Sequence, residues 1–488
     1  MKNLKDLIKH LNIKKYVGDT NRSISKIEID SRLCEKQCVF VAIKGYQVDG
    51  HTYISKAIEL GASTIICEVL PEQLIEDVCY LRVSNTSKVL SQISAAFYDF
   101  PSEKMNVVGV TGTNGKTTTA TLLFDLFTQM GEKVGLISTI SYHIGLKVFP
   151  STHTTPNAIR VQELFRKMVD HGCTTCFMEV SSHALDQNRV FGVDFDVAVF
   201  TNISRDHLDY HKNYNHYISS KKLLFDGLKP EAYALINLDD KHGETMLLHT
   251  KAKSLSYALH QVADYKTRAL EFDLNGSLIT INQTEVFVQL IGEHNLYNAT
   301  VCYAVAELLG KEPFEILTRL SILKTAKGRF EQVRSKSGKT AIVDYAHTPD
   351  ALENVLKAIH DIKPKEGKII TVVGCGGDRD KGKRPMMAKI ALQYSDQAIF
   401  TADNPRSEDP DLIIADMEAG VPSEKLSQYL SIADRRSAIR TALKLTSEKD
   451  VVLIAGKGHE DYQIIKGEKL HFDDVEEVEA YFKLIEQN

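Results

Sequence analysis

The fold of this chain can be inferred from one stretch, Gly109-Val110-Thr111-Gly112-Thr113-Asn114-Gly115-Lys116-Thr117-Thr118. The apolar residues 107–110 predict a short buried strand, and residues 117–130 predict a helix that Gly131 would cap. A strand that leads into a glycine-rich turn, followed at once by a helix, is typical of a loop that binds nucleotide phosphates. We therefore expect a phosphate-binding loop on a sheet flanked by helices.

The residue types in this loop suit ATP. Glycines let backbone N–H groups approach phosphate oxygens closely, and the N-terminus of the following helix contributes the positive end of its dipole. Lys116 can reach the β- and γ-phosphates, and the Thr117 hydroxyl can bind Mg²⁺. The spacing departs from the common pattern, because Val110 stands where that pattern has its first glycine. The predicted ATP-binding residues of the loop are Gly112, Thr113, Asn114, Gly115, Lys116, Thr117 and Thr118.

Outside this loop, strand-like and helical segments alternate along most of the chain. The central apolar runs favour a mostly parallel, doubly wound sheet, and they lie at 133–138, 175–180 and 195–201. The pattern restarts near residues 327–329, and the later runs suggest a Rossmann-like domain with strands at 340–344, 368–373, 397–401 and 451–455. Before the loop, short apolar runs at 39–43 and 63–67 mix with helical stretches at 53–60 and 89–98.

We therefore predict an α/β protein of three domains. Residues 1–99 would form an N-terminal α/β module, residues 100–327 the central doubly wound domain with the phosphate loop, and residues 328–488 the C-terminal Rossmann-like domain. Three domains agree with a length of 488 residues at about 100–200 residues per domain.

Composition narrows the class of protein. The chain is 43% hydrophobic and 25% charged, as expected of a globular enzyme with several cores, and its net charge of −5 gives no support for nucleic-acid binding. Residues 1–15 place apolar side chains at helical spacing between lysines, which predicts an amphipathic helix rather than a signal peptide. No apolar run approaches the ~20 residues that span a bilayer. We expect a cytoplasmic monomer without membrane insertion, acting on small molecules.

Acidic and histidine side chains follow two of the central strands. Glu179 ends the run 175–180, at the edge where parallel sheets bind ligands, and it could hold Mg²⁺ near the nucleotide. After the run 195–201 come Arg205, Asp206, His207, Asp209 and His211. His207 could bind a metal through a neutral imidazole, and on residue chemistry alone the metal could be Mg²⁺, Mn²⁺ or Zn²⁺.

Seven stretches together resemble the Mur ligase family. They occur in the family's order: GVTGTNGKTT (109–118), MEVSSHALDQNRV (178–190), FTNISRDHLDYH (200–211), IGEHNLYNA (291–299), GRFE (328–331), VDYAHTPDAL (343–352) and GDRDKGKRP (377–385). The match runs from end to end and includes the segments DSR (30–32) and YQVDGH (46–51). The resemblance implies an ATP-dependent ligase that activates a carboxylate as an acyl phosphate and joins it to an amine.

The resemblance also implies a catalytic centre. It assigns catalytic roles to Lys116, Glu179, His207 and Lys221, where Lys221 begins the pattern Lys-Lys-Leu-Leu-Phe225 and carries a carbamylated side chain in the family. Such an N6-carboxylysine would supply an anionic oxygen ligand for Mg²⁺. The implied metal ligands are Thr117, Glu179, His207 and Lys221, with Mg²⁺ as cofactor and ATP as co-substrate.

Further contacts are implied for three substrates. The muramoyl substrate, UDP-N-acetylmuramoyl-L-alanyl-D-glutamate, would contact Ser31, Tyr46, Gln47, Val48, His153, Thr154, Thr155, Ser181, Gln187 and Arg189. ATP would also contact Asn295, Asn298, Arg329, Asp344 and His347. The third substrate, meso-diaminopimelate, would contact Arg379, Asp403, Asn404, Pro405, Arg406, Gly456 and Glu460.

The choice of meso-diaminopimelate depends on Arg406. A guanidinium can bind the distal carboxylate of this amino acid with two parallel hydrogen bonds, and Glu460 would pair with its ammonium group. Three alternatives stay open. They are a lysine-adding ligase of the same family, a folylpolyglutamate synthetase-like ligase, and a phosphate-loop protein that binds nucleotide without forming an amide.

Overall fold

The computed structural model describes residues 1–45, 48–207 and 210–486. Three predicted residues, Tyr46, Gln47 and Asp209, lie outside this range. The chain forms three α/β domains, each built on its own sheet, as the sequence predicts.

The N-terminal domain has a five-stranded sheet in the order β2-β7-β6-β5-β4, parallel except for the pair β2–β7. Its elements are β1 Lys2–Asn3, α1 Leu4–Leu7, β2 Ile13–Val17, β3 Ser23–Ile24, β4 Lys26–Glu28, β5 Cys38–Val41, α2 Ile54–Glu59, β6 Ala62–Cys67, β7 Cys79–Val83 and α3 Thr86–Phe97. Strands β5 and β6 and helices α2 and α3 match the predicted segments within a few residues.

The predicted helix over residues 1–15 is wrong. Only the single turn α1 forms, where Asn3 caps the helix N-terminus and Leu4 and Leu7 are buried. Residues 13–17 instead form β2, the edge strand paired with β7. Helical periodicity in the sequence was overridden here by pairing with a distant strand, which local spacing does not report.

The central domain contains the phosphate loop. Its elements are β8 Asn106–Thr111, α4 Lys116–Gln129, β9 Val134–Ile137, β10 Ser141–Ile144, β11 Lys147–Pro150, α5 Ala158–Asp170, β12 Thr175–Glu179, α6 Ser182–Asp186, β13 Val197–Phe200, α7 Tyr214–Asp226, β14 Tyr233–Asn237, α8 Gly243–Leu247, β15 Lys253–Ala258, β16 Tyr265–Asp273, β17 Gly276–Ile281, β18 Thr284–Val288, α9 Glu293–Leu308 and α10 Pro313–Leu320.

An eleven-stranded sheet runs through this domain in the order β11-β10-β9-β12-β8-β13-β14-β15-β16-β17-β18. The strands from β9 to β16 are parallel, and antiparallel hairpins extend both edges. Strand β8 lies between β12 and β13, so that Val110 pairs with Glu179 and Thr111 pairs with Phe200. The carboxyl ends of these strands therefore bring the phosphate loop and the predicted acidic residues to one edge.

The C-terminal domain is a second, mostly parallel sheet in the order β19-β20-β24-β21-β22-β23, with β19 antiparallel. Its elements are β19 Glu331–Arg334, β20 Thr340–Asp344, α11 Pro349–Ile362, β21 Ile369–Cys375, α12 Lys383–Tyr394, β22 Gln397–Ala402, α13 Pro410–Glu418, β23 Tyr429–Ser431, α14 Arg435–Leu445, β24 Val451–Ala455, β25 Tyr462–Ile465, β26 Glu468–His471 and α15 Asp474–Glu486. The loops after β20, β21, β22 and β24 carry the predicted amino-acid contacts and His347, while Asp344 ends β20 and Arg329 precedes β19.

Apolar side chains cover both faces of the two large sheets. The strands β9, β12, β13, β20 and β24 are buried along their whole length, as expected of parallel strands enclosed by helices. Within the described ranges, no helix combines the length and the apolar character that crossing a membrane requires.

Candidate functional site

The phosphate loop is shaped by two glycines in conformations that disfavour other residues. Gly112 has φ +153° and Gly115 has φ +85°. A Cβ atom at Gly112 would lie 1.9 Å from Oγ1 of Thr201, the residue after β13, so the loop leaves no room there for any side chain. Asn114 N donates to Asn202 Oδ1 at 2.9 Å, which ties the loop to the segment after β13.

Two lysines converge on this loop. Lys116 Nζ donates to Gly112 O at 2.9 Å and to Thr113 O at 2.8 Å. Lys221 Nζ, from helix α7, donates to the same Gly112 oxygen at 2.6 Å. The structure therefore places both predicted catalytic lysines at the turn where phosphates would bind.

The environment of Lys221 differs from that of an ordinary helix lysine. Its side chain is 1% exposed, and Nζ lies 4.5 Å from the ring centroid of Tyr217. Burial, and then the neighbouring Lys116 cation, hold the pKa of Lys221 well below its usual range. The adjacent Lys222 instead pairs with Asp226 one turn further along α7. Of the two neighbouring lysines, only Lys221 reaches the phosphate loop.

Glu179 is fully buried at the end of β12 and contacts the first turn of α4. Its Oε2 accepts a hydrogen bond from Thr117 Oγ1 at 2.9 Å, and its Oε1 accepts one from Thr139 N at 2.6 Å. Sequence reasoning missed Thr139, although it follows a strand that neighbours β12. A carboxylate beside a hydroxyl at this edge is an oxygen-rich pair that suits Mg²⁺.

His207 lies next to a group of aromatic and histidine rings. Its ring centroid is 4.8 Å from that of His183, and its Nε2 is 3.4 Å from Asp206 Oδ2. His211 is buried and shares a hydrogen bond of 2.9 Å with Ser182 Oγ; burial lowers the pKa of His211 to about 4. Among the described residues, no group of three His, Cys, Asp or Glu side chains is arranged to hold a metal ion.

The predicted ATP contacts Asn295 and Asn298 lie on α9, beside the phosphate loop and the start of α4. Asn298 Oδ1 accepts a hydrogen bond from Thr119 Oγ1 at 3.0 Å and would lie 3.0 Å from a Cβ atom at Gly115. Asn298 Nδ2 donates to Asn295 Oδ1 at 3.1 Å. Asn298 thus touches the loop directly, while Asn295 supports Asn298. Thr118 is buried in the first turn of α4.

The C-terminal domain contributes Arg329 to the nucleotide end of the site. Arg329 Nη2 donates a hydrogen bond to Thr117 Oγ1 at 3.3 Å, and the Arg329 guanidinium lies 4.4 Å from the ring centroid of Tyr345. Gly328, just before it, packs so tightly that a Cβ atom there would lie 2.0 Å from His459 N. The loop that carries Arg329 is therefore in backbone contact with the loop after β24.

Asp344 and His347 lie near the loop that carries Arg329. Asp344 Oδ2 accepts a hydrogen bond from Phe330 N at 2.7 Å, and burial raises the pKa of Asp344 to about 6. His347 shares a hydrogen bond of 2.9 Å with Tyr345 O, and burial lowers the pKa of His347 to about 4, so the imidazole is neutral at pH 7. Electrostatic interactions link Asp344 to Arg329, and His347 to Asp206 in the segment after β13.

The predicted contacts to the muramoyl peptide form one cluster beside Glu179. Arg189 Nη1 donates to Thr155 O at 2.7 Å, and Arg189 Nε donates to Gln187 Oε1 at 3.0 Å. Thr155 Oγ1 donates to Glu179 O at 2.9 Å and lies within 3.3 Å of Ser181 Oγ. The remaining two, Thr154 and His153, adjoin this cluster through Thr139 Oγ1 and Tyr142 Oη.

The predicted UDP contacts lie in the N-terminal domain. Ser31 is buried in a short turn capped by Asp30, whose carboxylate accepts from Arg32 N at 3.0 Å. The side chain of Val48 is 53% exposed.

The predicted amino-acid pocket lies between the loops after β22 and β24. Asn404 Nδ2 donates to Glu460 Oε2 at 2.7 Å, and Asn404 Oδ1 accepts from Ile464 N at 2.9 Å. Arg406 Nη1 donates to Gly377 O at 2.7 Å. Gly456 adopts φ +116°, and a Cβ atom there would lie 3.6 Å from Asp403 Oδ2. The pocket therefore combines a guanidinium with carboxylates.

Two other predicted residues complete this pocket. The aliphatic chain of the exposed Arg379 and the guanidinium of Arg406 both lie within 4 Å of a Cβ atom built at Gly376. Pro405 O accepts a hydrogen bond from Glu408 N at 3.0 Å and so closes the turn that presents Arg406.

Two features of this pocket were missed by the sequence analysis. Arg384 is fully buried and donates to both oxygens of Glu408, at 2.9 and 3.0 Å, which joins the first turn of α12 to the loop after β22. Lys457 is also fully buried and lies 3.4 Å from Glu460 Oε2. Neither residue was singled out from the sequence, because a charged side chain ordinarily indicates a solvated surface.

Three family models match the chain in order. They describe the Mur ligase family catalytic domain over residues 23–98, the Mur ligase middle domain over residues 110–306, and the Mur ligase glutamate ligase domain over residues 328–458.

Individual proteins agree with these models. The UDP-N-acetylmuramoyl-L-alanyl-D-glutamate--2,6-diaminopimelate ligase of Phocaeicola vulgatus is 52% identical over 98% of this chain and 99% of its own length. A solved structure of a ligase with that name covers 100% of both chains with 32% identity and a TM-score of 0.72. The folylpolyglutamate synthase of Mycobacterium tuberculosis covers 76% of this chain and 93% of its own, with 16% identity and a TM-score of 0.61, which shows a shared fold.

Proposed function

Because the chain belongs to the Mur ligase family, we propose that it adds meso-diaminopimelate to the γ-carboxylate of the D-glutamyl residue in UDP-N-acetylmuramoyl-L-alanyl-D-glutamate. The reaction consumes ATP, and the product is a peptidoglycan precursor. The observation that carries the choice of amino acid is the pair Arg406 and Glu460, which flank Asn404 in one pocket. A guanidinium and a carboxylate match the distal carboxylate and ammonium of diaminopimelate.

The phosphate loop would bind ATP through its backbone N–H groups and Lys116. In the structure, the Lys116 ammonium donates hydrogen bonds to the carbonyl oxygens of Gly112 and Thr113. With ATP bound, it could exchange these bonds for contacts with the γ-phosphate. The substrate γ-carboxylate would attack that phosphorus, and ADP would leave as the acyl phosphate forms. Arg329, which lies 3.3 Å from Thr117 Oγ1, would stabilise the negative charge that develops during transfer.

The second step joins the amine to the activated carbonyl. The neutral α-amine at the L-centre of diaminopimelate would attack the carbonyl of the acyl phosphate and form a tetrahedral intermediate. Its nitrogen would release one proton to solvent and the C–O bond to phosphate would break, leaving an amide. The C-terminal pocket orients the amine by binding the other end of the molecule, and the peptide cluster around Arg189 and Thr155 holds the acyl group beside Glu179. Orientation of this kind supplies much of the rate acceleration.

The residues around Glu179 fit a magnesium ion. The Glu179 carboxylate and Thr117 hydroxyl are hard oxygen donors 2.9 Å apart at the phosphate loop, and His207 stands near the same edge. Magnesium bound here would neutralise phosphate charge during transfer. We propose Thr117, Glu179, His207 and carbamylated Lys221 as its ligands.

The burial of Lys221 supports the modification. A neutral amine can add CO₂, and the surroundings of Lys221 favour the neutral amine because its charged form is desolvated and close to Lys116. The carbamate would keep an N–H that can donate to Gly112 O, which lies 2.6 Å from Nζ in the structure, and it would add an anionic oxygen ligand beyond that nitrogen. The un-ionised lysine itself offers no oxygen ligand.

A threonine-to-valine change at residue 117 tests the oxygen pair. Thr117→Val is expected to lower kcat/KM for ATP by about ten- to a hundredfold and to raise the magnesium concentration needed for half-maximal rate. The measurement is phosphate release titrated with MgCl₂. Thr121→Val, one turn further along α4, is the matched control, because the buried Thr121 hydroxyl has no hydrogen-bond partner among the described residues. Equal magnesium requirements in both variants would contradict the assignment of Thr117.

The proposed reaction is tested by phosphate release from ATP in the presence of UDP-N-acetylmuramoyl-L-alanyl-D-glutamate. We expect release with meso-diaminopimelate, much weaker release with L-lysine, and a tripeptide product by mass spectrometry. Preference for lysine would keep the ligase but reject the role of Arg406. No release with either amine would favour a different acceptor, such as the folate substrate of the related synthases. Release without any amine would favour a nucleotide-hydrolysing protein.

The setting of the reaction follows from its substrates. We propose a cytoplasmic location, because ATP is present there.

We also propose domain boundaries near residues 99 and 327. Each boundary falls between the described sheets.

A further inference from the structure

A buried lysine, Lys457, lies beside the carboxylates of the proposed amino-acid pocket. Lys457 is 0% exposed, and it belongs to the loop after β24 that also carries Glu460. Burying an ammonium group is costly unless other groups replace its lost hydration, so its partners identify what it does.

The partners of Lys457 come from two loops. Its Nζ donates to Tyr462 O, and it lies 3.4 Å from Glu460 Oε2 and 3.8 Å from Asp403 Oδ1. Asp403 belongs to the loop after β22, so the ammonium bridges the two loops that form the pocket. No carboxylate of the described residues is recorded closer to Nζ than that of Glu460.

Glu460 is therefore held by two donors on one oxygen. Oε2 accepts a hydrogen bond from Asn404 Nδ2 at 2.7 Å and faces Lys457 Nζ at 3.4 Å. With Oε2 occupied in this way, Oε1 is the oxygen left to meet a ligand. An ammonium group from the amino-acid substrate would bind there without displacing either donor.

We propose that Lys457 is a positioning residue, which fixes the orientation and the charge of the Glu460 carboxylate for the ammonium group of the amino-acid substrate. This inference rests on the proposed function. It adds to that function a buried cation, Lys457, which does not contact the substrate but keeps the Glu460 carboxylate ionised and oriented to bind the substrate ammonium.

The ionisation of Glu460 depends on its surroundings. Burial, and then the Asp403 carboxylate, raise the pKa of Glu460, while the Lys457 cation and the Asn404 amide oppose that rise. The other charged or titratable groups that influence or are influenced by Glu460 are Arg435 from α14, Tyr345 after β20 and Tyr462 from β25. Loss of Lys457 would therefore raise the pKa of Glu460 further, and less of the carboxylate would be ionised in mildly acidic solution.

The test is the steady-state rate of phosphate release by the full chain with meso-diaminopimelate as the varied substrate. Lys457→Met is expected to raise the KM for diaminopimelate about ten- to a hundredfold, with KM for ATP nearly unchanged. The acidic limb of kcat/KM for diaminopimelate should move to higher pH. In a Glu460→Gln background, the same change should no longer move that limb, because the titrating carboxylate is absent.

Two further variants keep the test decisive. Lys469→Met is the matched control, because Lys469 is an exposed lysine whose Nζ lies 3.9 Å from the ring centroid of Tyr462, and its loss should leave KM unchanged. Should Lys457→Met fail to fold, Lys457→Gln retains a donor for Tyr462 O and removes only the charge. A shift in KM without any shift of the pH profile would overturn the proposal, and so would an unchanged KM. Absence of diaminopimelate-dependent release in the unmodified protein would instead reject the proposed function.

Discussion

Replacement of Lys221 by alanine is expected to lower kcat at least about a thousandfold, equivalent to about 4 kcal/mol of transition-state stabilisation. The change removes the carbamate that would complete the magnesium site beside the phosphate loop. It also removes the hydrogen bond from Nζ to Gly112 O, which is 2.6 Å long. Phosphate release in the complete assay measures the loss, and intact-protein mass spectrometry checks the unmodified protein for one added CO₂.

The chain offers a matched control for this experiment. Lys222→Ala removes the neighbouring lysine, which pairs with Asp226 rather than with the phosphate loop, and it should retain nearly full activity. A small carboxylic acid added to Lys221→Ala should restore part of the rate by replacing the missing oxygen ligand. Full activity of Lys221→Ala without such an acid would remove this residue from the mechanism.

Replacement of Arg406 by alanine is expected to lower kcat/KM for meso-diaminopimelate about a hundred- to a thousandfold. The distal carboxylate of the substrate would lose both hydrogen bonds from the guanidinium. Residual activity with L-lysine, which has no distal carboxylate, should fall far less. Competition between the two amines, with products separated by mass spectrometry, measures the change in specificity.

Arg406 also has a structural contact, and the experiment must separate the two roles. Its Nη1 donates to Gly377 O at 2.7 Å, and its backbone adopts φ +54°. Arg406→Lys keeps the charge but cannot bind a carboxylate bidentately, so it should recover only part of the activity. Arg436→Ala, which removes an arginine paired with Glu477 on α15, is the control. An equal loss with diaminopimelate and lysine would indicate that Arg406 only supports the loop.

Strongly patterned segments allowed most of the fold to be predicted. The run 340–344 coincides with β20, and the segments around the phosphate loop agree with β8 and α4 within one residue. These elements are buried parallel strands and a helix that begins at a glycine turn, so local sequence and tertiary packing favour the same structure. At residues 13–17 the two disagree, and pairing with β7 prevails over helical spacing.

The site was harder to predict because burial depends on the packing of distant elements. Lys221 and Lys222 are equivalent in a helical pattern, and only the orientation of α7 against the phosphate loop separates them. Lys457 likewise resembles a surface lysine until the loops after β22 and β24 meet around it. Thr139 has no chemical signal of its own, and its contact with Glu179 arises from strand order.

The tight contact between Gly328 and His459 has a mechanical consequence. Because the backbone at Gly328 packs so closely that a Cβ atom there would lie 2.0 Å from His459 N, we expect the segment bearing Arg329 and the segment bearing Glu460 to move together. The joined segments would then link the proposed nucleotide contact Arg329 to the proposed amino-acid contact Glu460. Arg329 already lies 3.3 Å from Thr117 Oγ1, so we expect any domain movement that opens and restores this contact to displace Glu460 as well, and the acyl phosphate and the incoming amine would then be brought together in a single closing motion.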